Sequence, residues 1–143
     1  MKVAEIMTKD PAFATLDTSL HDVAQMMADN DCGCIPVTEN AENRKPLGMI
    51  TDRDITIRTV AHNKNPLNMI AGEVMTDSVI TVTPAMSVEE CVATMERNQI
   101  RRIAVVDEAG NLCGMVAQAD IARTATPAET AELVKDVSAH AAA

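Results

Sequence analysis

The sequence predicts a mixed α/β (α+β) fold in which one unit occurs twice. Residues 3–8 return as residues 71–76, and residues 34–37 return as residues 102–105, both 68 positions later. Apolar positions repeat at the same distance: Leu20, Val23, Ala24 and Met27 return as Val88, Cys91, Val92 and Met95. One copy of a supersecondary unit does not easily cover its own apolar face, so we expect the copies to pack together. The cleft between such halves is a usual site for a small ligand.

Each copy is predicted to run strand, helix, strand, strand, helix. In the second copy, Ser87 is a candidate N-cap with Glu90 at the capping-box position, and the turn at 107–111 joins two strands. Its elements are predicted at 79–82, 88–97, 103–106, 112–116 and 118–123. In the first copy the same order is predicted at 13–15, 20–28, 35–38, 47–50 and 52–61.

The polar stretch 62–66 is predicted to separate the copies. We therefore predict a first repeat at 1–66, a second repeat at 67–126 and an Ala-rich tail at 127–143, with at most a further helical turn at its start.

Composition restricts the function more than it defines it. The 143 residues include 47% hydrophobic residues, Phe13 as the single aromatic residue, and ten methionines that suit core packing. The net charge of −9 opposes nucleic-acid binding, which needs a basic surface. No apolar run reaches the ~20 residues that cross a bilayer, and no signal peptide is visible. We expect a cytoplasmic protein that binds neither nucleic acid nor membrane.

Cysteine and histidine do not form a catalytic or metal-binding pattern. Cys91 and Cys113 lie on predicted core positions, whereas Cys32 and Cys34 form a C-x-C pair that suits a soft metal or a redox role. No second Cys pair or His lies at a ligand spacing from that pair, so we predict no metal site. Three scattered histidines provide no base for a catalytic set, and we predict that the chain is not an enzyme.

Three short segments occur in the same order in both copies, and together they resemble the tandem CBS domain, the pair named after cystathionine beta-synthase. The matching segments are residues 6–8 and 74–76, residues 35–37 and 103–107, and residues 48–55 and 114–121. The resemblance implies two repeats that pack sheet to sheet about a pseudo-twofold axis, and a homodimer. It also implies clefts between the repeats for an adenine nucleotide (AMP, ADP, ATP) or S-adenosylmethionine, with no cofactor required.

The resemblance also assigns the residues that would bind the ligand. Thr51 and Asp54 match the family's ribose motif, in which a carboxylate accepts hydrogen bonds from both hydroxyls. In the second copy Asp120 remains, but Ala117 replaces the hydroxyl residue. Arg101 and Arg102 occupy the phosphate-binding positions, where the first copy has the uncharged Gly33 and Cys34. Cations for the first site are then expected from Arg53, Lys45 or Arg101. The remaining implied contacts are Thr15 and Thr83 to the base or sugar, and the main chain at Cys32, Gly33, Ile100 and Arg101 to the adenine edge.

Two functions remain open from the sequence. The leading hypothesis is a regulatory module that senses adenosyl nucleotides and acts on a protein partner that the sequence does not identify. The alternative is a non-enzymatic interaction or stress-response protein with empty clefts, regulated through Cys32 and Cys34. Two structural alternatives also remain: Thr51 and Asp54 can simply cap a helix, and Arg101 and Arg102 can form a solvated strand end.

Overall fold

The computed structural model describes residues 1–77, 79–124 and 127–139, with only the backbone of residues 129 and 130. Its helices are α1 (Val3–Ile6), α2 (Leu20–Asp29), α3 (Asp52–Arg58), α4 (Ala71–Val74), α5 (Val88–Asn98), α6 (Gln118–Ala122) and α7 (Pro127–Ser138). Its strands are β1 (Thr8–Lys9), β2 (Ala14–Thr15), β3 (Cys34–Thr38), β4 (Pro46–Thr51), β5 (Thr81–Val82), β6 (Arg102–Val106) and β7 (Leu112–Ala117). The chain forms two compact units, one of residues 12–79 and the other of residues 1–11 with 80–143.

The unit of residues 12–79 has a three-stranded sheet in the order β2-β3-β4. Strands β2 and β3 are parallel, and β3 and β4 form an antiparallel pair in which Ile35 lies opposite Ile50. Helix α2 begins at Ser19, whose Oγ accepts a hydrogen bond from Asp22 N at 3.1 Å. Its apolar face buries Leu20 and Val23 against the sheet. The apolar residues of α2, spaced at the helical period, therefore share one core with the inward-facing residues of the strands.

The other unit has a four-stranded sheet in the order β1-β7-β6-β5. Its hairpin β6–β7 places Ile103 opposite Val116, as β3–β4 places Ile35 opposite Ile50. Cys91 and Met95 of α5 are fully buried in its core, and α7 adds Leu133 and Val137 to it. Helix α7 therefore completes the core of this unit.

The segment that opens each repeat packs with elements of the other repeat. Val3 N donates to Met86 O at 2.9 Å, and 68 positions later Ala71 N donates to Thr18 O at 2.8 Å. Strand β1 pairs antiparallel with β7, and Thr76 forms a matching bridge with Met49. The compact units and the sequence repeats thus divide the chain differently, and the repeat bounds 1–66 and 67–126 stay a prediction.

The mixed α/β prediction is confirmed, as are the order and approximate bounds of the five elements in each copy. The short α1, α4 and β1 were not predicted, because four or two residues carry too little periodicity to detect. The last helix of the first copy ends at Arg58 instead of 61, and a 3-10 helix follows at Val60–His62. The expected turn at the start of the tail is a twelve-residue helix, and the last residues of the tail lie outside the described part.

In two pairs of residues that were both predicted to lie in the core, only one residue of each pair is fully buried. Cys91 is fully buried as expected, whereas Cys113 is only partly buried. Ala24 is exposed although Val23 beside it is buried, because α2 turns that position away from the core. Among the described helices, none is long and apolar enough to cross a membrane.

Candidate functional site

The junction of β4 and α3 holds Thr51 and Asp54 in a reciprocal cap. Thr51 Oγ1 accepts from Asp54 N at 3.0 Å, and Thr51 N donates to Asp54 Oδ2 at 3.1 Å. This arrangement satisfies two main-chain donors at the start of the helix. The prediction that these residues cap a helix is confirmed, and their contact with a ribose stays a prediction.

The second carboxylate oxygen of Asp54 faces a cation that the sequence analysis missed. Arg58 Nη2 lies 3.6 Å from Asp54 Oδ1, one helical turn later, and Arg58 Nη1 donates to Val74 O at 2.7 Å. Asp54 is only 9% exposed, so this pairing keeps a buried carboxylate from being uncompensated. The i, i+4 spacing of the two residues was the available signal.

Gly33 lies beside the same junction and leaves room for an acidic side chain. Asp52 N donates to Gly33 O at 3.0 Å, and a Cβ on Gly33 would lie 2.8 Å from Asp52 Oδ2. We call the junction between β4 and α3, and the equivalent junction between β7 and α6, the two half-sites. The half-site of the 12–79 unit carries two carboxylates, from Asp52 and Asp54. A phosphate group placed there would meet the like charge of Asp52, since Asp54 is already paired with Arg58.

Two other predicted contacts in this unit are engaged locally. Thr15 N donates to Thr18 Oγ1 at 2.9 Å, and the two hydroxyls lie 3.2 Å apart. Cys32 Sγ donates to Cys34 O at 3.7 Å and is partly buried. The fold thus brings Gly33, Thr51 and Asp54 to one junction. Cys32 directly precedes Gly33 in the chain.

The equivalent junction in the other unit, between β7 and α6, has half of the same cap. Ala117 N donates to Asp120 Oδ2 at 2.8 Å, but Ala117 offers no oxygen to Asp120 N. Arg123 Nη1 donates to Asp120 Oδ1 at 2.9 Å, an i, i+3 pair that the sequence analysis also missed. This helix start consequently has one more free N–H than its counterpart at Thr51.

Arg101 and Arg102 lie beside this junction. Gln118 N donates to Arg101 O at 3.1 Å, and Arg102 lies opposite Ala117 in the hairpin. Both side chains are exposed, and neither is in an ion pair with a described residue. Ile100 N donates to Met95 O at 3.0 Å and ends α5, while Thr83 follows β5 with its side chain exposed. This half-site is cationic where the other is acidic.

Gln118 is the third residue that the sequence analysis missed. Its Nε2 is buried and has no hydrogen-bond partner among the described residues. A buried amide without an acceptor costs about 1–3 kcal/mol, so such a group is uncommon unless something else satisfies it. The first-copy equivalent is the acidic Asp52. It lies 66 and not 68 positions earlier, because the turn between β6 and β7 is two residues shorter than the turn between β3 and β4.

Metal ligation has no supporting cluster in residues 1–77, 79–124 and 127–139. No group of three or more His, Cys, Asp and Glu there could hold a metal ion. His21 Nδ1 lies 3.1 Å from Asp22 Oδ1 on an exposed helix face. Burial raises the pKa of the Cys91 thiol to about 11, so this thiol stays protonated and unreactive at neutral pH.

Two similar hairpins, each followed by a helix whose third residue is an aspartate bonded to the main chain at the helix start, define a duplicated α/β fold. The chain matches the CBS domain family over residues 3–58 and again over residues 71–126, and it therefore belongs to that family. It is similar to the CBS domain-containing protein YhcV of Bacillus subtilis, with 35% identity over 120 residues, 84% of this chain and 82% of that protein. It is also 34% identical over 121 residues to the protein MK0525 of Methanopyrus kandleri, covering 85% of this chain. The chain spans 61% of the length of MK0525.

Two solved structures share the fold. Hypoxic Response Protein I, solved with two coordinated zinc ions, aligns with a TM-score of 0.77 and 32% identity over 88% of this chain and all of that one. The CBS domain pair of protein MJ0100, solved in complex with 5′-methylthioadenosine and S-adenosyl-L-methionine, aligns with a TM-score of 0.75 and 28% identity. That alignment covers 86% of this chain and 98% of the MJ0100 pair.

Proposed function

We propose that this chain is a regulatory module that binds an adenosyl compound and is not itself an enzyme. The observation that carries the proposal is the buried Nε2 of Gln118, which has no acceptor among the described residues. Gln118 is the first residue of α6, directly after Ala117. A ligand oxygen or ring nitrogen would satisfy this donor. Support also comes from the MJ0100 pair, whose structure contains two adenosyl ligands.

The two half-sites favour different parts of such ligands. The guanidinium groups of Arg101 and Arg102 form no ion pair with a described residue and suit phosphate oxygens. The start of α6, where Ala117 provides no hydroxyl to Asp120 N, adds a main-chain donor. Asp52 and Asp54 suit ribose hydroxyls, and Asp52 disfavours phosphate. We therefore propose a nucleotide such as AMP, ADP or ATP at the Arg101 half-site. An uncharged or cationic adenosyl compound, such as S-adenosylmethionine, fits the Asp54 half-site better.

Regulation then follows from differential affinity. A ligand that pairs with Arg101 and Arg102 stabilises whichever conformation of the protein binds it better, and it shifts the population towards that conformation. We propose that the protein acts as a cytoplasmic homodimer on a protein partner, without nucleic acid or membrane.

Titration calorimetry with AMP, ADP, ATP and S-adenosylmethionine tests the proposal. Gln118→Met keeps the side-chain length but removes the amide, and Arg101→Gln removes one guanidinium. Each variant should weaken nucleotide binding about tenfold. Arg97→Gln removes the same charge from an exposed position of α5 and should bind like the unchanged protein. No heat with any of the four compounds would refute the proposed ligand class.

Mass spectrometry under non-denaturing conditions on freshly purified protein gives a second, independent test. The spectrum should show twice the chain mass and, in part of the population, an added mass equal to an adenosyl compound. A single-chain mass would exclude the homodimer without affecting the ligand proposal.

A second function has one observation in its favour: Asp54 and Asp120 are both already bonded within their own helices. Occupied carboxylates suit an interaction or stress-response protein with empty ligand sites, regulated through Cys32 and Cys34. Its similarity to Hypoxic Response Protein I is consistent with this alternative. In that case the thermal midpoint would ignore all four adenosyl compounds but move with reductant or zinc.

A further inference from the structure

A groove outside both half-sites lies within the unit of residues 1–11 and 80–143. Its volume is about 310 Å³, within the range of small-molecule sites. Helix α5 lines it with one face, and Met1, Ile121, Thr124 and Glu132 line the rest. The contributions of α5 are Val88, Glu89, Val92, Ala93 and Glu96.

The lining combines an apolar floor with an acidic rim. Ile121 is almost fully buried, and Val88 and Val92 are partly buried, so a hydrocarbon group can be removed from water there. The ionisable groups among the nine lining residues are the carboxylates of Glu89, Glu96 and Glu132 and the terminal amine of Met1. None of these carboxylates forms an ion pair with that amine or with a Lys or Arg of the described chain. Asp136, one turn after Glu132 on α7, adds its charge to that of Glu132 near Glu96.

The carboxylates repel one another. Partial burial, followed by the charges of Asp136 and Glu132, raises the pKa of Glu96. A cation in the groove would replace this repulsion with attraction. An anion or a neutral molecule of the same shape would not.

The equivalent helix of the first copy lacks these acids. The first-copy equivalents of Glu89 and Glu96, 68 positions earlier, are His21 and Ala28, while Val88 and Val92 correspond to the apolar Leu20 and Ala24. The repeat thus retains the apolar positions and changes the acidic ones. Helix α7, which supplies Glu132, is also particular to this unit.

We propose that this groove binds a small organic cation with a hydrocarbon body, of the alkylammonium class. The ammonium group would lie among Glu89, Glu96 and Glu132, and the chain would lie on Val88, Val92 and Ile121. The lining residues of the groove include none of those assigned to the junctions at Asp54 and Asp120, and binding in the groove does not depend on adenosyl binding.

Nitrogen–proton correlation NMR tests the proposal with three probes of one length: hexylammonium, 1-hexanol and hexanoate. Hexylammonium should shift the amide signals of Val92, Ala93 and Ile121 and bind about tenfold more tightly than hexanol. High salt should weaken its binding, because salt screens the carboxylates. Hexanoate should leave these signals unchanged.

Two variants distinguish a local site from the general negative charge. Glu96→Gln combined with Glu132→Gln should bring hexylammonium down to the affinity of hexanol. A double control, Glu42→Gln with Glu108→Gln, makes the same charge change at exposed loop positions and should bind hexylammonium normally. Equal affinity for hexanol and hexylammonium, equal loss in both double variants, or shifts confined to other residues would each overturn the proposal.

Discussion

Gly48 lies against Met75 so closely that a Cβ at position 48 would be 2.8 Å from Met75 Sδ and 2.5 Å from Thr76 O. The second copy repeats this relationship, since a Cβ on Gly114 would be 2.5 Å from Met7 Sδ. In each unit the segment that opens one repeat crosses the hairpin of the other at a glycine. These two glycines therefore allow the opening segments to bridge to β4 and β7.

Gly48→Ala should destabilise the protein by about 1–3 kcal/mol, because the nearest obstacle is the main-chain oxygen of Thr76, which cannot rotate away. Urea unfolding measures the loss. Gly110→Asn is the control: this glycine has φ of 85° with nothing within 4 Å of an added Cβ, and Asn tolerates a left-handed conformation. A Gly48→Ala protein as stable as Gly110→Asn would contradict the close contact.

Removing a hydroxyl at the start of α3 and adding one at the start of α6 should change the stability of the protein in opposite directions. Thr51→Val removes the oxygen that accepts from Asp54 N and should cost about 1 kcal/mol. Ala117→Thr supplies the missing oxygen near Asp120 N and should stabilise the protein by about 0.5–1 kcal/mol. Chemical denaturation of both proteins checks the signs.

The matched control is Ala117→Val, which has the shape of threonine without the hydroxyl. It should show none of the stabilisation. If valine and threonine at position 117 gave equal stability, packing and not capping would explain the effect.

The pKa of Cys91, raised from 9.0 to about 11 by burial, predicts a loss of stability in alkaline solution. The folded protein keeps the thiol proton where the unfolded chain loses it. The contribution of Cys91 is therefore complete below pH 9 and decreases up to pH 11, by about 2–3 kcal/mol in total. Urea midpoints across this range should fall more steeply for the unchanged protein than for Cys91→Val. Parallel slopes would be inconsistent with a shifted thiol.

Glu96 predicts a pH effect in the acidic range. Because its pKa is raised in the folded protein, the folded state holds the proton to higher pH than the unfolded chain does. Stability should then decrease as the pH rises through and above the ordinary glutamate value. Glu96→Gln removes this decrease, so its advantage in thermal midpoint over the unchanged protein should be larger at neutral pH than in acid.

Glu108→Gln makes the same charge change on an exposed turn and serves as the control. Its thermal midpoint should follow that of the unchanged protein across the same pH range. An equal gain in both variants at neutral pH would attribute the effect to net charge.

The sequence by itself determined the duplication, the element order and the strand-to-helix junctions. The local signals were the periodicity of α2 and α5, the turn residues, and the cap residue Ser87, and the structure confirms them. The family followed from the order of these motifs, since each short motif alone is weak.

Only the tertiary structure decided which side chains meet. Arg58 and Arg123 pair with Asp54 and Asp120, although the expected cations of the first site were Arg53, Lys45 and Arg101. The opening segments pack on the other repeat, and α7 meets α5 to form the acidic groove. The two ion pairs join residues only four and three positions apart, but the sequence offers several cations and only the fold shows which of them each carboxylate meets. The packing of the opening segments and of α7 joins residues far apart in sequence, whereas local propensity fixes only the helices and strands. Such contacts depend on packing and burial, which a single sequence does not encode position by position.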